Sequence, residues 1–306
     1  MKRIFIISLF VCCHLVSISQ VPKVSSGIIK HYEKFESKYV VPRNVDVWLP
    51  DGYDSKKKYA VLYMHDGKGL YDSAIMWNKQ EWGVDEVLGR LLKEGKVKNC
   101  IVVGAWNSES TRHPEYFPQK PYESLSQIER DTITAQLQKM GRTKEIFKPI
   151  SDNYLKFLVE ELKPFIDKNF STNTDAKNTF VAGSSMGGLI SMYAICEYPK
   201  VFGGAACLST HWPGTFKVEG NPIPEAFFQY MSMKLPDPKK HKLYFDYGDQ
   251  TLDALYPPLQ KKADQVIKAK GYTAKNWLTK YFPGENHSEK AWNKRLDIPL
   301  LFLLKK

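Results

Sequence analysis

One turn constrains this chain more than any other feature. Gly183-Ser184-Ser185-Met186-Gly187-Gly188 stands between the apolar run Thr179-Phe180-Val181-Ala182 and a helical stretch from Gly187 to Tyr198, which Pro199 stops. A G-x-S-x-G run between strand and helix predicts a tight reversal with the serine at its apex. Side chains at 183 and 187 would collide across such a turn, and the central residue must accept a strained backbone. The turn lifts Ser185 above the C-terminal edge of a parallel sheet and aims the free N–H groups of the next helix at developing negative charge. Ser185 is therefore the candidate nucleophile.

A serine hydroxyl attacks only when a base takes its proton. In this strand–turn–helix architecture the partners follow the serine in the order Ser, Asp or Glu, His. His14, His31, His65 and His113 precede Ser185, and His211 has only Glu197 before it. His241 opens the strand Leu243 to Tyr247 and so falls at the opposite edge of the sheet. That leaves His287, in Pro283-Gly284-Glu285-Asn286-His287-Ser288, as the base. The acid belongs in the segment Asp246-Tyr247-Gly248-Asp249-Gln250-Thr251-Leu252-Asp253. Asp246 is still strand-like and reads as structural. Asp253 is preferred because an extra turn lets its carboxylate fold back toward His287, and Asp249 stays as the alternative acid. The cluster departs from calcium-loop spacing, so no metal and no cofactor are expected. An oxyanion needs two converging N–H donors. Met186, after the nucleophile, supplies one, and Lys68, in the turn His65-Asp66-Gly67-Lys68 after the strand Tyr59 to Met64, supplies the other. His65 and Asp66 read as fixing that loop.

Around these residues the chain reads as two short strands, Ile28 to Tyr32 and Asn44 to Leu49, followed by strands alternating with helices. Such alternation predicts a mostly parallel sheet covered on both faces. Further strands are expected at Cys100 to Gly104, Gly204 to Leu208 and Trp277 to Phe282, with helices at Trp82 to Lys93, Ser151 to about Asp167, Glu225 to Met233, Leu259 to Lys270, and from Asp297. The polar stretch from Arg112 to Lys148 lacks strand signal and reads as an excursion over the sheet edge, either a lid or a surface loop. Residues 20–306 are thus expected to form one catalytic unit. With 43% apolar and 25% charged residues, a disordered or collagenous chain is excluded.

Met1-Lys2-Arg3, the apolar run Ile4 to Cys13, and the small residues Ser17-Ile18-Ser19 have the form of an export signal over residues 1–19. The apolar run is too short for a stable membrane span. Cleavage after Ser19 lowers the net charge from +11 to +9 and leaves Cys100, Cys196 and Cys207, which allow at most one disulfide. The lysines are scattered, and no basic stripe accompanies the predicted site, so a nucleic-acid partner is not expected. The protein is expected to be exported, periplasmic or secreted.

Four segments, Tyr63-Met64-His65-Asp66-Gly67, Gly183-Ser184-Ser185-Met186-Gly187-Gly188, Phe245-Asp246-Tyr247-Gly248 and Gly284-Glu285-Asn286-His287, together resemble the esterase D-like α/β hydrolases. That group includes enterochelin esterase-like proteins, feruloyl and acetylxylan esterases of carbohydrate esterase family one, S-formylglutathione hydrolases and mycolyltransferases. The resemblance runs from about Val45 onward. It implies an α/β-hydrolase fold, a triad containing Ser185 and His287, and a second oxyanion donor at Lys68, which follows the first loop's glycine. Relatives commonly place the acid three or four residues after the glycine corresponding to Gly248, where this chain has Thr251 and Leu252.

Trp77, Trp82, Trp106 and Trp212 fall near strand C-terminal ends, where such sheets bind ligands. Trp106, Arg112, His211 and Trp212 are the candidate pocket residues, with Glu115 beside Arg112. The expected activity is exported serine esterase action on a carbohydrate-linked acyl or feruloyl ester. The substrate partner is then a small-molecule or oligosaccharide ester. The alternatives are a ferric-siderophore esterase, an acyltransferase, and a binding protein that keeps the fold without catalysis.

Overall fold

The structure, a computed structural model, describes residues 21–306, so the expected export signal lies outside the described residues. Eight strands make one sheet: β1 (Ile28–Phe35), β2 (Arg43–Leu49), β3 (Ala60–His65), β4 (Cys100–Ala105), β5 (Thr179–Ser184), β6 (Gly204–Leu208), β7 (Lys242–Tyr247) and β8 (Trp277–Tyr281). Their order is β1-β2-β4-β3-β5-β6-β7-β8. The β1–β2 and β2–β4 pairs are antiparallel, and every pair from β4 to β8 is parallel.

Period-two patterning builds the core on both faces. On β3, Val61 and Tyr63 face one layer while Ala60, Leu62 and Met64 face the other. Strands β4, β5 and β6 divide in the same way: Ile101, Val103, Val181, Ala205 and Cys207 on the first face, Cys100, Val102, Phe180, Ala182, Ala206 and Leu208 on the second. The helix Met186–Glu197 is buried from Met186 through Cys196, because it lies between the sheet and further helices. On the opposite face, the helix Val84–Lys93 buries only Val84, Asp85, Leu88 and Leu91 and leaves the rest toward solvent.

The stretch 112–148 differs from the loop expected there. It holds the helices Arg112–Tyr116, Gln119–Glu123 and Gln127–Lys139. Ser126 and Glu129 cap the third reciprocally, a signature visible in the sequence. Tyr116, Phe117, Tyr122, Ile133, Leu137 and Phe147 enter the main core, so aromatic burial holds this segment to the body of the fold. A bidentate ion pair, Arg43 Nη2 to Glu115 Oε1 and Arg43 Nη1 to Glu115 Oε2 at 2.8 Å each, ties it to β2. Cys100, Cys196 and Cys207 are free and buried. Among the described residues no helix is long and apolar enough to cross a membrane.

Candidate active site

β5 delivers the backbone to Ser184, and Ser185 then adopts φ 57° and ψ −120°, a region that side chains strongly avoid. A Cβ at Gly183 would lie 2.9 Å from the Gly187 carbonyl carbon and oxygen, so only glycine permits the reversal. Surrounding bonds hold the strained residue in place. Its N–H donates to Leu208 O at 2.9 Å, and its carbonyl accepts from Gly188 and His211 at 3.0 and 3.2 Å. Met186 begins the following helix, whose first N–H groups have no intrahelical acceptor.

The loop after β3 supplies the facing wall. Gly67 lies so close to β4 that a Cβ there would meet the Gly104 carbonyl at 2.6 Å and Trp106 Cδ1 at 2.8 Å. Lys68 follows in a short turn, its ammonium 6.0 Å from the Trp106 ring. Among the described residues, neither the Lys68 nor the Met186 amide N–H is used in a hydrogen bond. Asp66 takes a left-handed backbone, φ 58°. Its carboxylate accepts two bonds from Arg112, both 2.7 Å, and one from Asn107 at 2.6 Å. Burial pushes the Asp66 carboxyl up, but Arg112 and Asn107 outweigh it and hold the group below its ordinary range. His65 is buried against Tyr154 OH at 2.8 Å, and burial lowers its imidazole to about 3, which keeps it neutral. Both residues brace the loop.

The opposite wall comes from the loops after β7 and β8. A Cβ at Gly248 would lie 2.1 Å from Glu285 O, and the Asp249 and Gln250 amides donate to that same oxygen at 3.1 Å each. This close stitching sets the two loops in register. His287 Nδ1 then lies 2.6 Å from Asp253 Oδ1, while the His287 amide donates to Thr251 Oγ1 at 3.0 Å. Asp253 is wholly buried. A carboxylate only accepts, so Nδ1 carries the proton and Nε2 is left as a base. Asp249 takes a different course. It is half-buried and accepts from Gly284 N at 2.9 Å and from Tyr281 OH, and the Tyr281 hydroxyl leads the bonds that hold its carboxyl below the ordinary value. Among the described residues it makes no hydrogen bond to His287, which pairs with Asp253 instead.

The four pocket candidates separate. His211 is buried beside the nucleophile, its Nδ1 2.9 Å from Tyr256 OH, and burial pushes its imidazole well below the ordinary value. Arg112 is committed to Asp66. Trp106 donates its indole N–H to Asp46 Oδ2 at 2.5 Å and wedges against Gly67. Trp212 does not line a pocket: it is fully buried, stacked on Phe245 and bonded to Gln260 at 2.8 Å, because the backbone after β6 turns it into the core. Glu115 is likewise consumed by Arg43. Trp82 is buried against Trp292, and Trp77 is 88% exposed.

Sequence reasoning missed Tyr256, Ser209, Trp292 and Arg295. Tyr256 and Trp292 flank the His287 ring edge-on, with centroids 5.8 and 5.1 Å away. Ser209 Oγ donates to Asp253 Oδ2 at 2.6 Å. Nothing in their spacing marks them, since each reaches the site from a different loop or helix.

A mostly parallel sheet with a serine at a strand–helix elbow and a histidine on a buried aspartate defines an α/β hydrolase of the serine-hydrolase type. The chain belongs to the putative esterase family, whose sequence profile matches residues 40–302. An endo-1,4-beta-xylanase/feruloyl esterase of Xylanibacter ruminicola is 27% identical over 265 residues, covering 83% of this chain and 28% of that protein. YbbA of Bacillus subtilis, an uncharacterized protein, is 26% identical over 172 residues, 56% of this chain and 58% of that one. The chain therefore spans less than two thirds of either relative. A CE1 ferulic acid esterase from Anaeromyces mucronatus, solved with ferulic acid, superimposes with a TM-score of 0.60 at 18% identity and covers 94% of both chains. The enterobactin esterase FES from Shigella flexneri gives 0.63 at 16% identity, covering 92% of this chain and 60% of that one. These two structures share the fold.

Proposed function

We propose that this chain is a serine esterase acting through Ser185, His287 and Asp253. The 2.6 Å bond from His287 Nδ1 to the fully buried Asp253 carries the reading. Ser185 Oγ attacks the ester carbonyl as His287 Nε2 takes its proton, and Asp253 steadies the resulting imidazolium. The Met186 and Lys68 N–H groups receive the oxyanion. Collapse expels the alcohol, which takes the proton from His287 and leaves an acyl-Ser185 ester. His287 next deprotonates water, which attacks the acyl carbon; collapse breaks the acyl–Ser185 bond, releases the acid and returns the proton from His287 to Ser185 Oγ.

The substrate class we favour is a carbohydrate-linked acyl or feruloyl ester, supported by the xylanase/feruloyl esterase relative. Residues 1–19 are read as an export signal and 20–306 as one catalytic unit. Two experiments test these readings. Turnover of acetyl-sugar, feruloyl-sugar and ferric-siderophore esters should be highest on a sugar ester, and preference for the siderophore overturns the substrate assignment. N-terminal sequencing of protein recovered outside the cytoplasm should begin at residue 20. An intact Met1 there overturns the signal.

A further inference from the structure

The acid Asp253 is supported by a buried relay outside the triad. Its Oδ1 faces His287, and its Oδ2 accepts from Ser209 Oγ at 2.6 Å and Gly248 N at 2.7 Å. Ser209 Oγ also meets Trp292 Nε1 and Arg295 Nη2, each at 3.0 Å. Indole and guanidinium N–H groups only donate, so they occupy the lone pairs of the Ser209 oxygen and leave its one proton a single acceptor, Asp253. The direction of the bond is forced. Arg295 Nη2 donates as well to Asp246 Oδ1 at 2.9 Å, and Asp246 O accepts from the Ser209 amide at 2.8 Å. Ser209 and Asp246 are fully buried, and Arg295 is 2% exposed.

Two buried carboxylates, Asp246 and Asp253, thus flank one serine, and one buried guanidinium bonds Asp246 directly and Asp253 only through the Ser209 oxygen. Without the Trp292 and Arg295 donors the Ser209 hydroxyl is free to turn its proton away from Asp253. An Asp253 carboxylate that loses the Ser209 bond is held less firmly against the His287 Nδ1 proton. Ser209 also holds φ 41°, an unfavourable backbone for any residue but glycine, yet the position carries a hydroxyl. We infer that Ser209 and Arg295 are positioning residues that hold the Asp253 carboxylate fixed on His287; the inference rests on the triad reading above.

The test is a set of variants, with kcat counted per site titrated by a fluorophosphonate and the His287 Nδ1 proton followed by its far-downfield NMR signal. Ser209→Ala and Ser209→Gly both remove the hydroxyl, and the glycine also relieves the backbone. Both should lower kcat about 10- to 100-fold with KM within about twofold, and both should shift or lose the downfield signal. Arg295→Met should match them, and Arg295→Lys, which keeps the charge, should recover part of the loss. Wild-type kcat and an unmoved signal in Ser209→Gly overturn the inference, whether or not Arg295→Met folds. Full activity in Ser185→Ala overturns the underlying triad reading instead, so the two failures are distinguishable.

Discussion

Two histidine–aspartate pairs of equal length stand at opposite edges of the sheet. His31 Nδ1 lies 2.6 Å from Asp46 Oδ1, and His287 Nδ1 lies 2.6 Å from Asp253 Oδ1. Both carboxylates are fully buried. The first pair is local: His31 on β1 and Asp46 on β2 are direct cross-strand partners. The second joins residues from two loops, made neighbours by the Gly248–Glu285 approach. The second aspartate oxygen differs as well, binding the Trp106 indole at Asp46 and the Ser209 hydroxyl at Asp253. Among the described residues His31 Nε2 is buried without a partner, whereas the His287 ring packs edge-on against Tyr256, whose hydroxyl bonds Ser185. A histidine on a buried carboxylate is thus common to both edges, and only its position relative to a strained serine makes it a catalytic candidate. At the β1–β2 edge the same chemistry holds Trp106 against Gly67 and so braces the loop carrying Lys68.

Substitutions at the two pairs break or sharpen this contrast. Ser185→Ala should cut ester turnover by about 10,000-fold or more while leaving the fold intact, checked by steady-state kinetics and circular dichroism. Asp253→Asn should cost about 100- to 10,000-fold in kcat, because His287 loses the acceptor that fixes its tautomer. Asp249→Asn, four residues earlier and half-buried, should stay within about twofold. Equal losses at 249 and 253 would refute the assignment of the acid.

Asp46→Ala should act on stability. Removing one partner of a buried pair costs about 3–5 kcal/mol, readable as a lower urea midpoint, while kcat per titrated site should fall by less than about tenfold. A loss like that of Asp253→Asn would erase the distinction between the edges. The smallest effect is pH dependence from His65. Its folded value of about 3 lies below the ordinary 6.5. Between these values the unfolded chain binds a proton that the folded chain does not, so stability rises with pH through this window and is complete above about 6.5. His65→Gln should flatten that slope in urea titrations from pH 3 to 7. An unchanged slope would mean that other buried histidines set it.

Much of this was legible in the residues. The glycine at 183 encodes the elbow because a Cβ there would strike the Gly187 carbonyl at 2.9 Å; the collision expected at 187 is absent, since a Cβ there would meet only ordinary contacts, the nearest His65 Cβ at 3.5 Å. The strands were legible because apolar side chains alternate between two packed faces. His287 followed from chain order. Trp212 was misplaced among pocket residues because a tryptophan after a strand looks the same whether the backbone turns it outward or into the core. The segment 112–148 was read as an excursion, either a lid or a surface loop, because its core contacts come from aromatic residues spread among polar ones and buried by distant partners such as Phe227.

The sequence by itself determined the local rules: where the chain reverses, which residues share a face, and which serine sits at the apex. These depend on steric exclusion and on periodicity over a few residues. The tertiary structure decided between Asp249 and Asp253 as the partner of His287, brought Ser209 and Arg295 to the acid, and set one histidine–aspartate pair beside the elbow and the other on the far edge. Those outcomes depend on how loops far apart in sequence pack, down to a glycine whose missing side chain admits a carbonyl from the next loop.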